Sequence, residues 1–143
     1  MAKIPFTDRE LTRAWRNSIA VSKATPRLNP HRLLLFYAIE CGLKAAYLKS
    51  IHKNIIDSSI ADEFSHDINK ICTKLVLGSQ YQLPYSLKMK DCIINNKQHS
   101  RTCSSSELNQ IWRYGGELNG AIDDNQIESK LEKLNDWIEK ALQ

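Results

Sequence analysis

The chain has 143 residues, 42% of them hydrophobic, with five glycines and four prolines. That is enough apolar material for one core, and the scarcity of turn formers with apolar spacings of three and four predicts a single domain over 1–143: an all-α, up-and-down helical bundle of about five helices. The net charge of +4 is unevenly spread, with ten basic and three acidic residues in 1–53, six and five in 54–103, and four and eight in 104–143, which suits an anionic partner at one end or two opposed surfaces that meet between subunits.

The opening stretch, Met1-Ala2-Lys3-Ile4-Pro5-Phe6, lacks the apolar run of a signal peptide, so the expected location is cytoplasmic. Thr7-Asp8-Arg9-Glu10 has the Thr-x-x-Glu pattern of a capping box and predicts a first helix from Asp8, with Leu11, Trp15, either Ser18 or Ile19, and Ser22 facing inward. Arg9, Arg13 and Arg16, with Lys23 and extended by Lys3 and Arg27, recur on another face and form a basic stripe suited to a phosphate backbone or to solvent.

Thr25-Pro26-Arg27-Leu28-Asn29-Pro30 breaks the chain, because each proline disfavours helical geometry in the residue before it. Asn29 can cap and Pro30 can fill the first turn of a central helix reaching Lys49. From Leu33 to Leu48 this helix is apolar or small almost all round, so other helices must surround it. Glu40 and Lys44 interrupt it, four apart and in the favourable order; with these charges and its limited length, no membrane span and no membrane partner are expected.

Ser59-Ile60-Ala61-Asp62 and Ser65-His66-Asp67 each offer a further helix start, and a third helix is expected from about Asp67 to Leu77 before Gly78, with room for a short turn of helix ahead of it. Residues 79–103 read as an irregular connection with a short helix near Leu87–Ile94. Lys88, Lys90, Lys97 and Arg101 lie there beside Tyr81 and Tyr85, a combination that suits single-stranded nucleic acid. Cys41, Cys72, Cys92 and Cys103 contain no Cys-x-x-Cys pair, and His99 with Cys103 on a shared helix face gives two ligands without partners; no metal or cofactor is expected.

Ser104-Ser105-Ser106-Glu107 is another capping box, opening a helix with Leu108, Ile111 and Trp112 that ends at Gly115-Gly116. Asp123-Asp124 caps the last helix, whose Ile127, Leu131, Leu134, Ile138 and Ala141 form its apolar stripe.

Three separated pieces together resemble the HEPN superfamily: Ala38-Ile39-Glu40-Cys41-Gly42-Leu43-Lys44-Ala45, His66-Asp67-Ile68-Asn69-Lys70-Ile71 and Trp112-Arg113-Tyr114. The resemblance implies a helical-bundle protein, commonly a homodimer, in a superfamily rich in ribonucleases of bacterial defence and toxin–antitoxin systems. It further implies RNA or a nucleotide as ligand, and a protein partner such as an antitoxin or a nucleotidyltransferase. Catalytic members carry an arginine, a polar residue after it and a histidine a few residues on. Arg113 matches, whereas Tyr114 follows it and Asn119 stands near the histidine position. The leading expectation is a non-catalytic or degenerate module binding RNA, a nucleotide or a protein. An active metal-independent ribonuclease using Arg113 with His66 or Asn119 is one alternative, and a purely structural dimerisation module the other. Arg9, Arg13, Arg16, Lys44, Lys88, Lys90 and Arg101 are the candidate phosphate contacts, and Glu40, Lys44, Asp67, Arg113 and Tyr114 a candidate polar cluster.

Overall fold

The computed structural model describes residues 4–143, so Lys3 of the basic stripe lies outside the described residues. The chain runs β1 (Phe6–Thr7), α1 (Asp8–Ser22), α2 (Asn29–Ser50), β2 (Ile55–Ile56), α3 (Ser58–Phe64), α4 (Ile68–Lys74), β3 (Leu87–Ile94), β4 (Lys97–Cys103), α5 (Leu108–Arg113) and α6 (Asp124–Ala141). The all-α expectation is thereby corrected: the described residues hold six α-helices and two antiparallel two-stranded sheets, a mixed architecture.

Local chemistry explains where α1 and α2 start. Thr7 Oγ1 accepts from the Glu10 amide at 3.1 Å and Glu10 Oε1 accepts from the Thr7 amide at 3.0 Å, the reciprocal capping box. Its inward stripe is Leu11, Trp15, Ile19 and Ser22. At α2 the cap is Leu28, one residue earlier than expected, and His31 Nδ1 accepts its amide proton at 3.0 Å. Asn29 is released to donate from Nδ2 to the Gly116 carbonyl at 2.8 Å. β1 and β2 pair as Phe6↔Ile56 and Thr7↔Ile55, clasping the start of α1 to the end of α2.

Helix α2 is the rod of the core, packed against α1, α4, α5 and α6. Leu35, Phe36, Ile39, Leu43 and Leu48 are buried, and each such side chain contributes about 1.5–3 kcal/mol relative to exposure. A Cβ on Gly42 would fall 2.9 Å from side-chain carbons of Trp15 and Ile138, so the absence of a side chain lets α1, α2 and α6 close on one point. Two indoles lock α6 in place: Trp15 Nε1 donates to Asn135 Oδ1 at 2.8 Å, and Trp112 Nε1 to Asp124 Oδ1 at 2.9 Å. Arg27, expected to extend the basic stripe, instead reaches α6, with Nη2 2.8 Å from Glu132 and Nη1 3.3 Å from Glu128.

The expected third helix is α4, which ends at Lys74 rather than Leu77, and the short helical turn expected ahead of it is α3. Asp57 caps α3 by accepting from the Ile60 amide at 3.0 Å, and Asp67 caps α4 by accepting from the Lys70 amide at 3.2 Å. Between them Ser65 turns the chain with φ 49°.

The region read as an irregular connection with a short helix is a β-hairpin. Ile94↔Lys97 is its last pair, and Asn95 and Asn96 between them have φ 52° and 63°, the left-handed pair that a tight I′ turn requires. Leu87 and Met89 alternate with Lys88 and Lys90, a period of two that suits a strand and not a helix. Beyond the register shift between Met89 and Cys92, the hairpin is largely exposed. His99 faces Cys92 and Cys103 faces Leu87 across the strands, so no helix face joins His99 to Cys103.

Candidate functional site

One face of α2 carries Tyr37, Glu40, Cys41 and Lys44, spaced by three and four residues so that their side chains rise in one row. Two other segments converge on it. The turn between α3 and α4 delivers His66, whose Nδ1 lies 2.7 Å from Glu40 Oε1. The last residue of α5, Arg113, donates from Nη2 to the Tyr37 hydroxyl. The Tyr37 and His66 rings have centroids 6.5 Å apart, and Lys44 Nζ stands 3.8 Å from Glu40 Oε2. A continuous row therefore runs Arg113, Tyr37, His66, Glu40, Lys44.

The row grades from wet to dry. The His66 side chain is 53% exposed while that of Glu40 is 9% exposed. Arg113 is exposed, and the Tyr37 hydroxyl, then Tyr114, raise its already high pKa, so it is a permanent cation. Cys41 is of the opposite kind: burial first, then the Glu40 charge, push its thiol up to about 11, which leaves it protonated and poorly nucleophilic near neutral pH.

The Glu40 contact assigns the tautomer. A neutral imidazole that donates Nδ1–H to a carboxylate carries its acceptor lone pair at Nε2. The pair is thus a histidine aimed by a buried carboxylate, with an arginine nearby to meet negative charge, which is the chemistry of phosphate binding and of proton transfer beside a phosphate.

The remaining candidates are scattered. Asp67 is spent on the α4 cap and has no hydrogen bond or ion pair to Glu40, Lys44 or Arg113 among the described residues. Tyr114 is 78% exposed and lines a groove of about 650 Å³ with Arg101, Gln110 and Met89. Asn119 lies by the hairpin, its amide donating to the Lys88 carbonyl at 2.7 Å, in a hollow with Lys88 and Lys90. It has no described contact with Arg113 or His66. Arg101 Nε donates to the Lys90 carbonyl at 2.9 Å, fixing one cation on the outer hairpin. Arg9, Arg13 and Arg16 share a shallow hollow on the outer face of α1.

Sequence reasoning missed Tyr37. Its position three residues before Glu40 was a usable signal, because a phenol on the charged stripe of an otherwise apolar helix has one polar direction in which to point. Among the described residues no group of three His, Cys, Asp or Glu side chains is placed to hold a metal ion, and no helix is long and apolar enough to cross a membrane. No protein-family model, curated protein or solved structure matches the chain.

Proposed function

We propose that this chain is a HEPN-like module that binds RNA, or a nucleotide, through its phosphates at the Arg113–Tyr37–His66 face. The observation that carries the reading is the convergence of Arg113 and His66 on Tyr37 from separate segments, with Glu40 fixing the histidine from behind. An exposed guanidinium gives an anion a permanently charged donor, and the exposed imidazole beside it presents Nε2 to a hydroxyl of the same ligand. The exposed Lys88, Lys90 and Arg101 on the hairpin offer further phosphate contacts along the same ligand. In this reading the protein acts as a cytoplasmic homodimer in a bacterial defence or toxin–antitoxin-type system, with an antitoxin or a nucleotidyltransferase as protein partner.

A second reading, a metal-independent endoribonuclease, is favoured by the His66–Glu40 pair itself. His66 Nε2 takes the proton from a ribose 2′-hydroxyl as that oxygen attacks the adjacent phosphorus. The bond to the 5′-oxygen breaks, water supplies the proton to that leaving group, and a 2′,3′-cyclic phosphate remains. Arg113 meets the charge that builds on the phosphoryl oxygens.

Fluorescence anisotropy with a labelled single-stranded RNA tests both. Arg113→Gln and His66→Gln are expected to weaken binding at least tenfold with unchanged melting temperature, and the logarithm of affinity is expected to fall linearly with the logarithm of salt concentration. Wild-type affinity in both variants would remove the site. Cleavage by the wild-type protein that disappears in His66→Gln selects the ribonuclease reading; binding without cleavage selects the module.

A further inference from the structure

Tyr114 follows Arg113 at the end of α5 and lines the groove of about 650 Å³ between that helix end and the hairpin. Its ring is 78% exposed, so the fold gains little from it. The backbone that carries the ring is nevertheless pinned. The Tyr114 amide donates to the Gln110 carbonyl at 3.1 Å, the Gly116 amide to the Ile111 carbonyl at 2.8 Å, and Asn29 Nδ2 to the Gly116 carbonyl at 2.8 Å. The Tyr114 side chain also acts on Arg113, whose pKa it helps to raise, so groove and phosphate face meet at this pair of residues.

The opposite wall comes from the hairpin. Met89 and Arg101 are paired across the strands and share one face of the sheet, which sets an apolar thioether beside a guanidinium. Arg101 commits Nε to the Lys90 carbonyl at 2.9 Å, and its Nη groups have no hydrogen bond among the described residues. A Cβ on Gly116 would fall 2.6 Å from Met89 Cε, so the bare glycine lets the thioether lie in the floor. Gln110, exposed at the rim, brings an amide that both donates and accepts. The carboxylate in the wall, Glu107, is held in its capping box, with Oε1 accepting from the Ser104 amide at 2.9 Å. An open aromatic face, an apolar floor, a side-chain amide and a guanidinium at either end match an unpaired base between two phosphates. Such bases stack on aromatic side chains and are read along their edges, whereas a duplex hides its base faces.

We propose that this groove is a nucleobase subsite, which takes one unpaired base of a single-stranded RNA against Tyr114, with the flanking phosphates at Arg113 and Arg101. It rests on the reading of Arg113 as a phosphate contact. It adds a preference for unpaired bases, which phosphate contacts alone do not give.

The test compares the affinity of the intact protein for a labelled single-stranded RNA, for a strand of the same length made of abasic nucleotides, and for the same sequence as a duplex. The single strand is expected to bind at least tenfold tighter than either. Tyr114→Ala is expected to weaken the single strand about tenfold, the order of one lost base–aromatic stack, and to leave the affinity of the abasic strand and the melting temperature unchanged. Tyr114→Phe keeps the ring and is expected to bind like the wild type, while Arg113→Gln is expected to weaken base-bearing and abasic strands alike. Equal affinity for the single strand and either control, or indifference to Tyr114→Ala where Arg113→Gln still weakens binding, would overturn the subsite and leave the phosphate face standing. A loss in Tyr114→Ala with none in Arg113→Gln would remove the phosphate reading and keep a base groove. Adenosine monophosphate bound as tightly as the strand, and as sensitive to Tyr114→Ala, would replace the RNA by a free nucleotide as the occupant.

Discussion

On the α6 side of α2, Arg32 Nε sits 2.7 Å from Glu128 Oε2 and Arg27 Nη1 3.3 Å from Glu128 Oε1, with Asp124 4.0 Å from Arg32. On another face of the helix, Glu40 is met by Lys44 and His66, and Tyr37 by Arg113. Both clusters are polar and both border the core, yet they are built differently. In the first, the side chains of Arg27, Arg32, Glu128 and Asp124 are all between 10% and 18% exposed. Each charge there faces an opposite charge, and little of the cluster is left to bind anything else. In the second, burial falls away from Glu40 outward, so the row ends in a half-exposed imidazole and an exposed guanidinium. A closed polar lattice leaves no face for a ligand to meet, whereas an open-ended one leaves the exposed face on which the proposed RNA site rests.

Breaking the closed cluster should have the largest effect. Glu128→Ala leaves two mostly buried arginines without their shared carboxylate and is expected to cost about 3 kcal/mol, as removing one partner of a buried pair does. Urea denaturation would register it as a lower midpoint, while RNA affinity of the folded fraction stays near wild type. An intact midpoint would place this cluster among surface pairs of little consequence.

The open row should respond the other way round. Glu40→Gln keeps a polar contact to His66 and removes the charge, so a stability loss of about 1 kcal/mol is expected together with a larger loss at the site, read as RNA affinity or cleavage rate. Should stability fall by several kcal/mol while ligand binding is untouched, the row is a second lock and the comparison fails.

The smallest effect concerns Cys41, which stands in the row without serving it. Burial raises its folded pKa to about 11, above the ordinary value of about 8.5. The folded state then holds its proton more tightly than the unfolded chain, so the associated stability is complete below about pH 8.5 and is lost as pH rises towards 11. Cys41→Ala is expected to shift stability by less than about 1 kcal/mol at pH 7 and to make the alkaline decline shallower. An unchanged alkaline limb in thermal melts would assign that decline to other groups. Cys72, pushed up to about 12 by burial, contributes in the same direction.

The legible parts of this chain were those with one buried face. The stripes of α1 and α6 and the all-round burial of α2 follow from spacing, because burial writes its period into the sequence. The hairpin was illegible for the converse reason. Its outer half is exposed, so Asp91-Cys92-Ile93-Ile94 and Lys97-Gln98-His99-Ser100 carry no sustained alternation, and only the Asn95-Asn96 turn and the Leu87–Lys90 alternation marked it. The site was legible in its charged members on α2, and the His66 contact with Glu40 follows from adjacent helices. Asp67 was misplaced because its carboxylate was already committed to a helix end, and Asn119 because the intervening Gly115-Gly116 turn carries it towards the hairpin.

Ser65 sets one further property of the row. A non-glycine residue at φ 49° and ψ −130° carries a backbone penalty of about 1–3 kcal/mol, and this one immediately precedes the histidine that the row presents. Glu40 rides on a 22-residue helix clamped by its neighbours, whereas His66 hangs between two helices of seven residues each. The pair is a latch with one fixed leaf and one sprung leaf. Short elements open locally more readily than a core rod, so hydrogen exchange is expected to be faster for the amides around His66 than for those around Glu40.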